Sequence, residues 1–181
     1  MPLASLTLRG LAACAGLAAA LMATPASARS MSCQSFMDAF NAAAGEHRVA
    51  FSRALSVGGR ASGYEYYDAS GAGEVDVSVV CRDDRFVRVE VRSARGGAER
   101  VKARRDRLSV AALRVASGQD AGHAAGTIRA LAAEAQDYLR ASAERGDVFL
   151  AGKTERHLGG GVDVGYIATE TDVALIVVAG S

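Results

Sequence analysis

Between residues 74 and 92 the chain alternates between apolar and polar positions with a period of two. Val75, Val77, Val79 and Cys81 share one parity, and Glu74, Asp76 and Ser78 share the other. After Asp83-Asp84, Val87, Val89 and Val91 alternate with Arg88, Glu90 and Arg92. In a strand every second side chain points to the same face, so two half-buried strands are predicted. Parity also constrains the turn between them. A two-residue loop at Asp83-Asp84 sets Val77 opposite Glu90 and mixes the faces, whereas a three-residue loop, Asp83 to Arg85, sets Val77 opposite Val91 and Val79 opposite Val89. The second choice also places Asp76 beside Arg92 and Ser78 beside Glu90, which avoids a like-charge pair. The three-residue loop is therefore expected.

Elsewhere the period changes to that of a helix. Phe36, Met37, Phe40 and Ala44 form one stripe behind a possible cap at Ser32, with Cys33 in the first turn and an end near Gly45 or further toward Leu55. From Ala98 to about Ala143, Leu108, Ala112 and Val115 mark one helix. After Ser117-Gly118, Asp120 caps a second, in which Ile128, Leu131, Ala132, Ala135 and Leu139 face inward and Gly146 closes the last turn. Further strands are read at Tyr64 to Asp68, Val148 to Leu150 and Val162 to Tyr166. Val173 to Ala179 is apolar on both parities, the mark of a central strand or one covered on both faces. A turn at Glu170-Thr171 pairs Tyr166 with Leu175 and Val164 with Val177. Gly71-Ala72-Gly73 reads as a hairpin turn and Gly159-Gly160-Gly161 as a flexible connection. The fold class expected is α+β: a mainly antiparallel sheet of about five to seven strands with helices packed on one face.

The N-terminal pattern belongs to none of these elements. Arg9 precedes an uncharged apolar run from Gly10 to Ala23, then Thr24-Pro25 and Ala26-Ser27-Ala28. A positive start, a short apolar core and small residues at −3 and −1 make a secretory signal, with cleavage expected after Ala28. The apolar run is shorter than the about 20 residues a bilayer span needs. Lipidation at Cys14, after Leu11-Ala12-Ala13, is the minor alternative; it leaves too short an apolar core before the cysteine. The expected organisation is a leader over residues 1–28 and a single domain over 29–181, exported to the periplasm or secreted.

Removing Arg9 with the leader leaves 20 basic side chains against 20 acidic ones. A neutral balance argues against a nucleic-acid binder, whose affinity rests on excess positive charge. Cys33 and Cys81 are then the remaining cysteines, and in an oxidising compartment they are expected to pair. The bridge would close a loop of about 49 residues, for which chain entropy gives roughly 4 kcal/mol as an upper figure. With Cys81 on the valine face, it would pin the first helix across that face.

Candidate chemistry is sparse. His47, His123 and His157 are scattered with no ligand spacing between them, so no metal site is expected. No Gly-x-Ser-x-Gly elbow exists, the glycine runs are wrongly spaced for phosphate or dinucleotide loops, and no cofactor is expected. Arg145-Gly146-Asp147 is a helix end followed by a loop rather than an adhesion motif. One charge feature stands out: residues 82–107 hold ten basic side chains against five acids. Arg88, Arg92, Arg104 and Arg105 are the candidate contacts for an anionic envelope component or an acidic protein. The competing view is a solvated face answered by Glu74, Asp76 and Glu90.

Two functions are compared on these grounds. The favoured one is a non-catalytic binding or accessory domain of the bacterial cell envelope. The alternative is an exported enzyme whose site is assembled from dispersed residues such as Tyr66, Asp68, Glu74 and His157, which requires them to converge in a pocket.

Overall fold

A computed structural model describes residues 31–54, 63–70, 74–148 and 150–180. The leader expected over residues 1–28 and the turn expected at Gly71-Ala72-Gly73 lie outside the described residues. The first helix, α1 (Cys33–Ala44), begins where Ser32 Oγ accepts the Ser35 backbone N–H at 3.1 Å. That bond satisfies one of the donors a helix start leaves open. Phe36, Met37, Phe40 and Ala44 are all buried. The helix does not run on toward Leu55. It stops at Gly45, whose φ of 60° is left-handed, and a short 3-10 turn (Gly45–His47) follows. The Asn41 side chain then holds both backbone groups of Val49, at 3.0 and 2.9 Å, and steers the chain into the sheet.

Seven strands form one antiparallel sheet: β1 (Ala50–Arg53), β2 (Tyr64–Ser70), β3 (Val75–Arg82), β4 (Arg85–Ala94), β5 (Ala151–Leu158), β6 (Val162–Thr169) and β7 (Asp172–Ala179). Their spatial order is β1-β2-β3-β4-β7-β6-β5. Two meanders, β1–β4 and β5–β7, are thus joined by the β4–β7 ladder. Between them in sequence lie α2 (Glu99–Ser117) and α3 (Ala121–Arg145). Asp120 caps α3, and left-handed Gly118 and Gly146 end the two helices. The expected α+β class, with seven strands and three α-helices among the described residues, is what the chain adopts.

The register of β3 on β4 is the one parity demanded: Asp76 faces Arg92, Val77 faces Val91, Ser78 faces Glu90 and Val79 faces Val89. The turn is different from the expected three-residue loop. Arg82 pairs with Arg85, leaving a two-residue turn in which Asp83 and Asp84 have φ of 50° and 60°. Positive φ at both positions is the primed turn that matches strand twist. An irregularity beside Val80/Cys81 then restores the register, because Val80 faces Arg88 while Cys81 faces Phe86. Val87 is the extra residue of this bulge and leaves the inner face to Phe86. Phe86 is buried and stacks on Phe36 with ring centroids 3.8 Å apart. Cys33 and Cys81 form a disulfide, Cα atoms 5.9 Å apart, which ties α1 to the inner face as expected.

The second meander departs more from expectation. Val148 belongs to no strand and is 90 % exposed; the strand begins at Ala151. The run Ala151–Leu158, rich in charge, carries no clear alternation and is recognisable only by what covers it. Gly152 lies against α3 so closely that a Cβ there would sit 1.7 Å from the Ala135 carbonyl oxygen. Thr154 Oγ1 donates to the Leu131 carbonyl oxygen at 3.1 Å. The glycines at 159–161 are not a loose connection but a tight hairpin between Leu158 and Val162, with φ of 79° and 73° at Gly160 and Gly161. The β6–β7 hairpin has the expected pairs, Tyr166 with Leu175 and Val164 with Val177.

Candidate functional site

All three helices lie on one face of the sheet. Their apolar stripes meet Val77, Val79, Val89, Val91, Val164, Tyr166, Leu175 and Val177, all buried. Burial pushes the Tyr166 phenol above its ordinary pKa, with nearby Arg105 opposing the shift. The opposite face carries no element among the described residues. Its rows follow from the register. One runs Asp76, Arg92, Ala174, Ile167, Lys153; the next Ser78, Glu90, Ile176, Gly165, Glu155; the third Val80, Arg88, Val178, Asp163, His157.

Glu90 is the focus of this face. It is 8 % exposed although it points away from the helices. Its two carboxylate oxygens accept from Arg88 and Arg92, each at 2.6 Å. The three side chains alternate along β4 with one residue between each, so a charge triplet is fixed by strand geometry alone. Beside it runs a strip formed by Ala174, Ile176 and Val178 of β7 and Ile167 of β6. Gly165 has no side chain, and Glu155 leans over it, its Cγ 3.5 Å from where a Cβ would stand. Two shallow depressions, about 600 and 360 Å³, share Arg88, Ile167 and Ile176 and merge into one trough. Lys153, Glu155 and the His157–Asp163 pair, 2.7 Å apart, form the far wall.

The candidate arginines are not gathered into one patch. Arg88 and Arg92 stand on the helix-free face, whereas Arg104 and Arg105 belong to α2 on the other side of the sheet. Arg105 pairs with Asp106 at 2.7 Å. On the open face the arginines share Glu90, and Asp76, Glu155 and Asp163 stand nearby, so the surface is of mixed charge rather than basic.

The dispersed residues of the enzyme alternative do not converge. Tyr66 on β2 and His157 on β5 lie in one row but five strand spacings apart, about 24 Å. Asp68 lies a row away, and Glu74 precedes β3. Elsewhere the Tyr67 phenol, raised by burial and by its bond to Glu65, belongs to an Arg53–Glu65–Tyr67 cluster at the β1–β2 edge. No group of three histidine, cysteine or acidic side chains is placed to hold a metal among the described residues. Nor is any helix there long and apolar enough to cross a membrane.

Sequence reasoning singled out Arg88 and Arg92 but not the strip beside them. The signal was present: Val173 to Ala179 is apolar on both parities. β7 is indeed central in the sheet, yet only its inner parity is covered among the described residues. Comparison with known protein families, with curated proteins and with solved structures finds no match to this chain.

Proposed function

We propose that this protein is an exported, non-catalytic binding or accessory domain of the bacterial cell envelope, and that it works by presenting its helix-free sheet face to another protein surface. The observation that carries this reading is the trough itself: half-buried Ile167, Ile176 and Val178 flanked by a pre-formed Arg88–Glu90–Arg92 triplet. An apolar strip inside a polar rim is the anatomy of a protein contact. A shallow trough whose charges already answer one another suits a broad partner better than a small ligand, which takes a concave and enclosed site. The leader pattern and the Cys33–Cys81 bridge support an oxidising compartment. An anionic glycan or acidic protein, the partner first suggested by the arginines, meets a triplet of which Glu90 has neutralised half.

The test is photo-crosslinking in the exported protein, with a photoreactive phenylalanine analogue at position 176 or, as control, at position 107 on α2. Protein adducts from 176 and none from 107 are expected. Adducts only from 107, or none from either, overturn the reading. So does retention on envelope glycan that is lost on Arg88→Glu with Arg92→Glu while position 176 yields no protein adduct.

A further inference from the structure

We infer that the occupant of the helix-free face is a second copy of this chain, packed face to face about a two-fold axis running along β7. This rests on the preceding reading of that face and adds the identity of the partner. Charge complementarity across the contact favours this arrangement.

A two-fold axis along β7 lays β4 of one copy over β6 of the other, and β3 over β5, with rows preserved. Arg88 then faces the partner's Asp163, and Asp76 faces the partner's Lys153. An isologous contact makes each pair twice, giving four opposite-charge contacts around the strip. Glu90 comes over the partner's Gly165, where both nearby carboxylates are already answered, Glu90 by Arg88 and Arg92 and the partner's Glu155 by Lys153. Ala174, Ile176 and Val178 meet their own copies on the axis. Asp172 also lies on it, at the hairpin end about 13 Å from Ile176, where its carboxylate accepts from the Thr171 hydroxyl at 2.6 Å.

Neighbouring axes along the strands, and one across them, do less well on charge. An axis between β7 and β6 opposes Glu90 to Glu155 and Arg92 to Lys153. An axis across the strands through Ile176 opposes Arg88 to Arg92. Moving it between β4 and β7 makes no ion pair at all, with Asp76 over Ile167 and Val80 over Asp163. Like charges brought together at an interface are strongly unfavourable, and the last arrangement forgoes every ion pair, so among axes along the strands the one on β7 is favoured.

The area falls at the low end for a specific contact. Five strands at about 4.8 Å and some six residues along each give a face of roughly 480 Å², near 1,000 Å² for the pair. Sheets stacked this way form a sandwich about 10 Å thick at the contact, deep enough to bury the isoleucines from both sides.

The experiment is sedimentation equilibrium on the exported, disulfide-bonded protein from 1 to 100 µM. A dimer is expected in this range. Arg88→Glu alone and Asp163→Arg alone should each weaken it by at least about tenfold. The double variant Arg88→Glu with Asp163→Arg should recover to within about threefold of the original. Asp76→Lys and Lys153→Asp, on exposed positions that cannot disturb the core, repeat the same cycle. A monomer at 100 µM, a dimer indifferent to both swaps, or single losses with no recovery in either double variant overturns the inference. The crosslink at 176 separates it from the proposed function: an adduct of twice the chain mass supports both, and an adduct to a different protein leaves the function standing while the second copy is rejected.

Discussion

The two meanders of the sheet are covered by helices in opposite ways. Over the first meander the contact is made by large side chains and a covalent link: Phe36 stacks on Phe86 of β4, Phe40 meets Phe51 of β1 edge-on at 5.7 Å, and Cys33 is bonded to Cys81 of β3. Over β5 the contact is made by the lack of side chains. The Ala135 backbone touches Gly152, and the hydroxyl of Thr154 reaches into α3. The first region holds helix and sheet apart with rings that fill the gap. The second brings backbone against backbone. The first should therefore fail when atoms are removed and the second when atoms are added.

The largest effect is expected where nothing can yield. Gly152→Val places its Cβ 1.7 Å from a carbonyl oxygen and 2.7 to 2.9 Å from further α3 backbone atoms. Either β5 or α3 must move, at a cost beyond the usual 1–3 kcal/mol of overpacking. Loss of cooperative thermal unfolding by circular dichroism is expected, and a melting temperature within about 3 °C of the parent would break the comparison. Next comes Phe86→Ala, which empties a site stacked at 3.8 Å and should cost about 3–5 kcal/mol in denaturant unfolding. A loss under about 1 kcal/mol would show that the rings are not what supports the first meander.

The smallest effect sharpens the second region at its helix start. Asp120 accepts the His123 backbone N–H at 3.0 Å, and this bond, helped by the His123 side chain, holds its pKa below the ordinary 3.8. The capping contribution is complete above pH 3.8 and is lost as pH falls through the lowered value. An NMR titration following the Asp120 carboxyl and the His123 amide should show a common midpoint below 3.8. A midpoint at or above it would remove the cap from the account.

Much of this was legible in the sequence, for reasons that differ by region. Alternating valines report burial on one face, so the β3–β4 register could be read before the turn was known. The turn itself was misread because a bulge at Val87 mimics a longer loop: both shift parity by one. Only the backbone signs at Asp83 and Asp84 separate them. β5 was invisible because Gly152 and Thr154, its buried residues, are neither large nor apolar; what they provide is proximity, which has no signature in hydropathy. The open face was half legible. Arg88 and Arg92 are evident as charges, but their sharing of Glu90 and the apolar strip beside them need β7 to stand next to β4, a pairing across some 80 residues of chain.

The central place of β7 sets the order in which the molecule can be completed. It is the last of the seven strands to be synthesised, yet it lies between β4 and β6. Until residues 172–179 emerge, each of those neighbours has a bare row of amide and carbonyl groups, and the halves share no ladder. Closure waits on a contact of long sequence separation, the slow kind to form. In a chain made from its N-terminus, the two ladders of β7 can therefore form only after every other strand of the sheet has been made.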